Sequence, residues 1–353
     1  MPVALMNKDQ LVAAVKGGEP LINETDLSNG DYQGADLAGG TFQEVSFKGA
    51  NLRGAKLKEC NFINCDFTGA KLDGANLILA NFIEPKGESI SVVGCDLRLA
   101  SFIDAKFDKA DFSQCNFENT NFINPSFVAA KFIGAKMEQN SFINGDLSQS
   151  DFSKVTVFRT NLIDCKVKDI VFTEAKLELI FFKGADFTKY DFTKINLIKP
   201  QFQECKLQES NFEGKDVSNA SFMGADLTKA NFKQVTALQT NFIQANLTMV
   251  NFSDANMEQA LMQEANLTRI NFSKIKAKQA LMVKTDCTGS VFDGADLTYV
   301  DFSHAKMMEA DLSNTQLYRT NLHEIIEDKT VWRNANRSAA LETDKTKKKA
   351  EQW

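Results

Sequence analysis

Few residues in this chain have the types and spacing that chemistry needs. Histidine occurs only at His304 and His323, and no metal-ligand spacing accompanies them. Seven cysteines could staple the chain or hold a metal. Six of them, Cys60, Cys65, Cys95, Cys115, Cys165 and Cys205, share one slot of a five-residue pattern, and Cys287 stands in another. The shared slot is usually alanine, so cysteine reads there as a small apolar core residue. Cys95 and Cys115 come within bridging range if four units of that pattern make one turn of the chain, but their side chains would run parallel, and free thiols are expected. Asn246-Leu247-Thr248 and Asn271-Phe272-Ser273 match a glycosylation acceptor, yet the pattern writes that string by itself. A nucleophile with its base, or a pair of carboxylates, would need a concave pocket. No inserted segment is present to build one. The expectation is a non-enzyme with no catalytic residues, no cofactor and no metal.

The pattern that positions all these residues is a comb of large apolar side chains. Leu52, Leu57, Phe62, Phe67, Leu72, Leu77 and Phe82 fall at every fifth residue, and the comb runs unbroken from Ile22 to Leu322. Of the 29 phenylalanines, all but Phe158 and Phe181 sit in it. Only Gly87, Ala237, Ala277 and Cys287 are weak members. A second comb of small residues lies two positions earlier, as at Ala50, Ala55, Ala70 and Ala75. A period of five fits neither the helix at 3.6 nor the strand at 2.0. It fits a chain that turns once per unit, with four units closing one square coil. One large and one small side chain per unit then point inward and the other three point to water. Coils stack at about 4.8 Å, like paired strands.

Units such as Ala225-Asp226-Leu227-Thr228-Lys229 make the chain similar to pentapeptide-repeat proteins, over about residues 21–325. That resemblance implies an all-β fold, the right-handed quadrilateral β-helix. About 15 coils would give a rod roughly 70 Å long. The degenerate unit Glu84-Pro85-Lys86-Gly87-Glu88 keeps the length of five, so a local bend or bulge is expected there and no loop.

The two ends must cover the outermost coils. Asn7-Lys8-Asp9-Gln10 has the order of a capping box. With Leu11, Val12 and Val15 on one face and Gly17-Gly18 after it, it predicts a capping helix over 7–16 within an N-terminal segment 1–20. Beyond 325, Ile325, Ile326, Val331 and Trp332 are expected to plug the last coil. Residues 326–353 form a cap and a polar tail, with Lys345, Lys347, Lys348 and Lys349 in the tail. The net charge of −6 does not suggest a nucleic-acid binder. No apolar run is long enough to span a membrane, and the first residues lack a signal-peptide core. A soluble, cytoplasmic chain is expected.

One face breaks the polar rule for outward slots. Ile63, Ile83, Ile103, Ile123, Ile143 and Ile163 recur once per coil directly after the inward residue, and the preceding side adds Leu79 and Leu99. The residues before each inward centre are Asn61, Asn81, Ser101, Asn121, Ser141 and Asn161, without charge. Contiguous apolar surface of this size predicts a site for a protein partner or for self-association. The function expected is a non-catalytic interaction scaffold or adaptor. The stretches at both ends resemble pentapeptide-repeat proteins that accompany bacterial type VI secretion systems, which would imply an accessory role in secretion. The alternative that the family resemblance offers is a DNA mimic that binds DNA gyrase. Mild acidity and frequent lysine weaken that alternative.

Overall fold

The computed structural model describes residues 6–17 and 21–352. The chain divides into two compact units, Met1–Phe181 and Phe182–Trp353, both built on the same coil. In the first unit, short strands at Leu21–Asn23, Thr41–Gln43, Asn61–Ile63, Asn81–Ile83, Ser101–Ile103, Asn121–Ile123, Ser141–Ile143 and Asn161–Ile163 stack as a parallel sheet. Every residue pairs with its equivalent one coil on, as in Phe62 with Phe82 and Phe82 with Phe102. A second side carries the strands Asn116–Glu118, Lys136–Glu138, Thr156–Phe158 and Lys176–Glu178 in the same register. The remaining sides hold single parallel bridges with the same interval, such as Asp26 to Ser46 and Asp31 to Asn51. The fold is a four-sided β-helix.

Backbone pairing between coils explains why so short a unit is stable. The Phe47 amide donates to the Asp66 carbonyl at 2.7 Å, and the Asp66 amide donates to Val45 at 3.0 Å. Each coil thus satisfies its neighbour's polar groups, which would otherwise face an apolar interior. Corners are made by one residue of each unit in the left-handed region, with φ of +52° at Asn64, +62° at Gln114 and +66° at Gly34. A tight turn follows, as in the bond from the Ala50 amide to the Phe47 carbonyl at 3.0 Å. Glycine and asparagine take this conformation readily; a large apolar residue there is strained.

Inside the first unit the phenylalanines form columns. Phe42, Phe62, Phe82, Phe102, Phe122 and Phe142 stack at centroid distances of 5.3, 5.0, 4.7, 5.0 and 4.2 Å. These near-parallel contacts follow the coil spacing and add ring–ring attraction to burial. The unit around Gly87 corrects the expectation of a bulge. Lys86 bridges both Asp66 and Lys106, so the register passes through unbroken. The ring of Phe107 occupies the space, since a Cβ on Gly87 would stand 2.4 Å from it.

The second unit repeats the plan, with bridges such as Ser221 to Asn241 and Asn231 to Asn251. Phe192, Phe212 and Phe232 stack at 4.4 and 4.6 Å. Among the described residues, no helix is long and apolar enough to cross a membrane.

The N-terminal lid is helix α1, Lys8–Lys16. Its capping box is complete, with Asn7 accepting from the Gln10 amide and the Gln10 side chain accepting from the Asn7 amide. Leu11 and Val15 are buried. Lys8 and Lys16 donate to the carbonyls of Gln33 and Ala38, so the lid satisfies open backbone groups as well as covering apolar surface. Gly17 caps the helix; Gly18 lies outside the described residues.

At the C-terminus the expected plug is corrected for two of its four residues, while Ile325 and Trp332 are half-buried. Ile326 and Val331 are 54% and 45% exposed. They occupy the outward slot before each centre and bridge Lys306 and Asp311. The centres of this last coil are Glu327 and Trp332, joined at 2.9 Å through the indole N–H. Arg337 donates to both oxygens of Glu327 and lies over the Trp332 ring at 4.3 Å. A polar cluster therefore closes the coil stack, because these groups can face water where phenylalanine could not. The tail beyond it forms a short helix, α2, Lys345–Ala350, capped by Asp344.

Candidate interaction surface

The six isoleucines lie in one row of the first unit, because the parallel register sets Ile63 beside Ile83, Ile83 beside Ile103, Ile103 beside Ile123, Ile123 beside Ile143 and Ile143 beside Ile163. Ile123 is 38% exposed and the other five are half-buried. Those inside the row are covered on two flanks by the isoleucines of adjacent coils, so partial burial is what a flat row at about 4.8 Å spacing gives. The row ends at Gln43, which pairs with Ile63.

The two edges of the row differ. Along one runs an amide ladder, with Asn81 donating to Asn61 at 2.9 Å. Behind it Leu79 and Leu99 stand at the same corner of consecutive coils, 39% and 51% exposed. Both have φ of +61°, where leucine is strained by about 1 kcal/mol or more. Along the other edge the corner residues are Asn64, Glu84, Asp104, Asn124, Asn144 and Asp164. Asn124 donates to Asp104 at 3.0 Å. The surface is thus a flat apolar strip with one leucine-bearing edge and one polar edge, where Lys86 and Lys106 line the same groove as Glu84 and Asp104. All eight residues expected from the sequence point outward on this one unit. The charged groove along this edge is a feature that the sequence reading missed.

On two other sides some carboxylates are paired between coils. Asp36, Asp146, Asp186 and Asp286 each lie within ion-pair distance of the lysine one coil on, at 3.5, 3.4, 3.9 and 3.7 Å. The cysteines are all free and buried. Cys60, Cys95 and Cys115 donate to backbone carbonyls of the previous coil at 3.0, 3.0 and 2.9 Å. Thr120 and Thr240 use the same slot and the same bond. Burial pushes the thiols of Cys60, Cys65, Cys205 and Cys287 up to about 12, far from a nucleophile's range.

Family descriptions for tandem pentapeptides match most of the repeat. "Pentapeptide repeats (8 copies)" matches residues 22–58, 60–84, 91–119, 100–139 and 279–323, and "Pentapeptide repeat region" matches 135–212 and 215–290. The chain belongs to the pentapeptide-repeat family. No curated protein matches it in sequence. Among solved structures it is similar to Rfr23, a pentapeptide-repeat protein from the cyanobacterium Cyanothece 51142, at 19% identity over 37% of this chain and 90% of that one, with a TM-score of 0.27. It is similar to HetL, a pentapeptide-repeat protein involved in heterocyst differentiation regulation in Nostoc sp. strain PCC 7120, at 17% identity over 96% and 98%, with a TM-score of 0.20. A third is QnrB1, a plasmid-mediated fluoroquinolone resistance protein, at 19% identity over 60% and 92%, with a TM-score of 0.26.

The pentapeptide-repeat coil also gathers residues that linear spacing hides. His304 is a corner and His323 follows the centre Leu322 on the next coil. A separation one short of a full coil therefore brings their rings within 5.4 Å, nearly perpendicular. Glu351, from the tail, reaches both. The expectation that no ligand spacing accompanies the histidines is corrected here, since two positions almost one coil apart are neighbours in this fold.

Proposed function

We propose that the first unit is a docking module of a non-catalytic interaction scaffold, and that its contact surface is Ile63, Ile83, Ile103, Ile123, Ile143 and Ile163 with Leu79 and Leu99. The observation that carries the reading is six isoleucines in direct register on an outward face. Sheet faces left to water carry polar residues at such slots. The exposed leucines support it, because Leu79 and Leu99 extend the apolar surface beyond the isoleucine row. The partner that fits is a protein with a flat apolar face and a polar margin to meet the groove of Glu84, Lys86, Asp104 and Lys106. Burying the row would contribute on the order of 1 kcal/mol per isoleucine before association costs.

The test is the double variant Ile103→Lys with Ile123→Lys. Its melting temperature should stay close to that of the parent, since neither side chain is in the core. It should lose partner capture in a pull-down, or self-association in sedimentation if the partner is a second copy. A folded variant that keeps every interaction would defeat the proposal. An accessory role in a secretion system is a finer form of the same reading, to be settled by what the parent captures and the variant does not. A DNA mimic that binds gyrase would need rows of unpaired carboxylates. The lysine–aspartate pairs between coils at Asp36, Asp146, Asp186 and Asp286 speak against it.

A further inference from the structure

We propose that His304, His323 and Glu351 form a binding site for a divalent transition-metal ion of the zinc type, in the second unit and independent of the isoleucine surface. Nε2 of His323 lies 3.1 Å and Nε2 of His304 lies 3.3 Å from the same atom, Oε2 of Glu351. All three donor atoms fall within 4.8 Å of one another. Ligands held about 2.0–2.1 Å from a tetrahedral ion stand roughly 3.3 Å apart, so two edges of the tetrahedron already have the length an ion requires. Two imidazoles and one carboxylate suit Zn²⁺, Co²⁺, Ni²⁺ and Cu²⁺ and do not suit the harder Ca²⁺ and Mg²⁺. Three protein ligands leave a fourth position for water.

Both sides of the site are held by contacts that do not involve the ligand atoms. The His304 amide donates to the His323 carbonyl at 2.9 Å, fixing the two histidines across adjacent coils. The tail is tied down by the Glu324 amide donating to Thr343 Oγ1 at 3.1 Å and by Lys348 against Glu324 at 3.0 Å. Lys347 lies 3.6 Å from Oε1 of Glu351, the oxygen that does not face the histidines. His323 is 1% exposed, so its ring has little freedom to turn away. Its Nδ1 accepts from the Asp344 amide at 3.1 Å, which places the ring proton on Nε2, toward Glu351. Metal binding at Nε2 displaces that proton, either to solvent or to Nδ1, where it meets the Asp344 N–H. In the latter case the Asp344 amide must shift off Nδ1, which lowers the affinity.

The test uses the full-length chain without a histidine tag, titrated with Co²⁺ and followed by visible absorption, with Zn²⁺ as competitor. The expected result is one ion per chain, intense tetrahedral Co²⁺ bands, and displacement by Zn²⁺. Glu351→Gln and His304→Ala should each weaken binding by about tenfold or more, and both are solvent-facing changes that leave the coils folded even if His323→Ala does not. Zn²⁺ should also slow amide exchange over residues 341–352 in the parent and not in Glu351→Gln. Absence of tetrahedral bands at millimolar Co²⁺, or binding that survives Glu351→Gln and His304→Ala unchanged, would overturn the site.

Discussion

At the scale of single residues, position within the five-residue unit decides what a side chain contributes. Phe102 is 1% exposed and stacks on Phe82 and Phe122 at 4.7 and 5.0 Å. Phe102→Ala should therefore destabilise by about 3–5 kcal/mol in a denaturant titration. Asp104, two positions on, is exposed, and its sequence position alone suggests that alanine there is neutral. Its φ of +52° and its bond from Asn124 say otherwise: alanine lacks the tolerance of aspartate for the left-handed region. The neutral outward control is Asp104→Gly, expected within about 0.5 kcal/mol, with Asp104→Ala costing about 1 kcal/mol. Equal losses at Phe102 and Asp104→Gly would refute the inside–outside assignment. The buried thiols give a second residue-scale expectation. With Cys60, Cys65, Cys205 and Cys287 pushed up to about 12 and Cys165 to about 11, the native chain should take up essentially no thiol reagent at neutral pH, and denaturant should release all seven. Rapid labelling of the native chain would mean that the small inward slot is open to solvent.

At the scale of elements, the ends differ from the coils because they close the stack with hydrogen bonds. Arg337 holds the Glu327 carboxyl below the usual carboxylate range, with burial opposing and the Trp332 indole assisting. A lowered value in the folded state stabilises it above the ordinary glutamate range, and that contribution is lost as pH falls through the lowered value. Solvent reaches the pair, so the effect is under about 1 kcal/mol. Protection of the amides in residues 326–341, taken relative to intrinsic exchange at each pH, should fall on acidification, and Glu327→Gln should flatten that dependence; an unchanged profile would remove the pair from the cap. The N-terminal lid is legible from Asn7 to Gln10 because a capping box is a local signal. The C-terminal closure misleads because Ile326 and Val331 are apolar. Carrying the comb one and two units past Leu322 puts Glu327 and Trp332 at the centres and both aliphatic residues outside. The left-handed corner slot is not legible, since it takes glycine, asparagine, glutamine, lysine and glutamate, which share no simple pattern. The histidine pair escapes for a different reason: its interval has meaning only through the coil, and Glu351 arrives on a tail outside the repeat.

At the scale of the whole molecule, one interval governs everything: each residue of the first unit meets its equivalent one coil, or four pentapeptides, away. The comb makes this readable because so many independent positions obey one period. The same interval gives the protein a reading frame of its own, on top of the genetic one. Removing a single residue would carry both inward combs to outward slots for the rest of that unit. Removing one pentapeptide would restore inside and outside but carry each row onto the next face, separating Ile103 and the isoleucines after it from Ile63 and Ile83. Only the excision of a full coil, such as residues 97–116, would leave Ile83 beside Ile123 and the apolar row continuous, shorter by one member. Viable length variants of this chain should therefore differ by whole coils, and a partner that reads the row should tolerate those variants and no others.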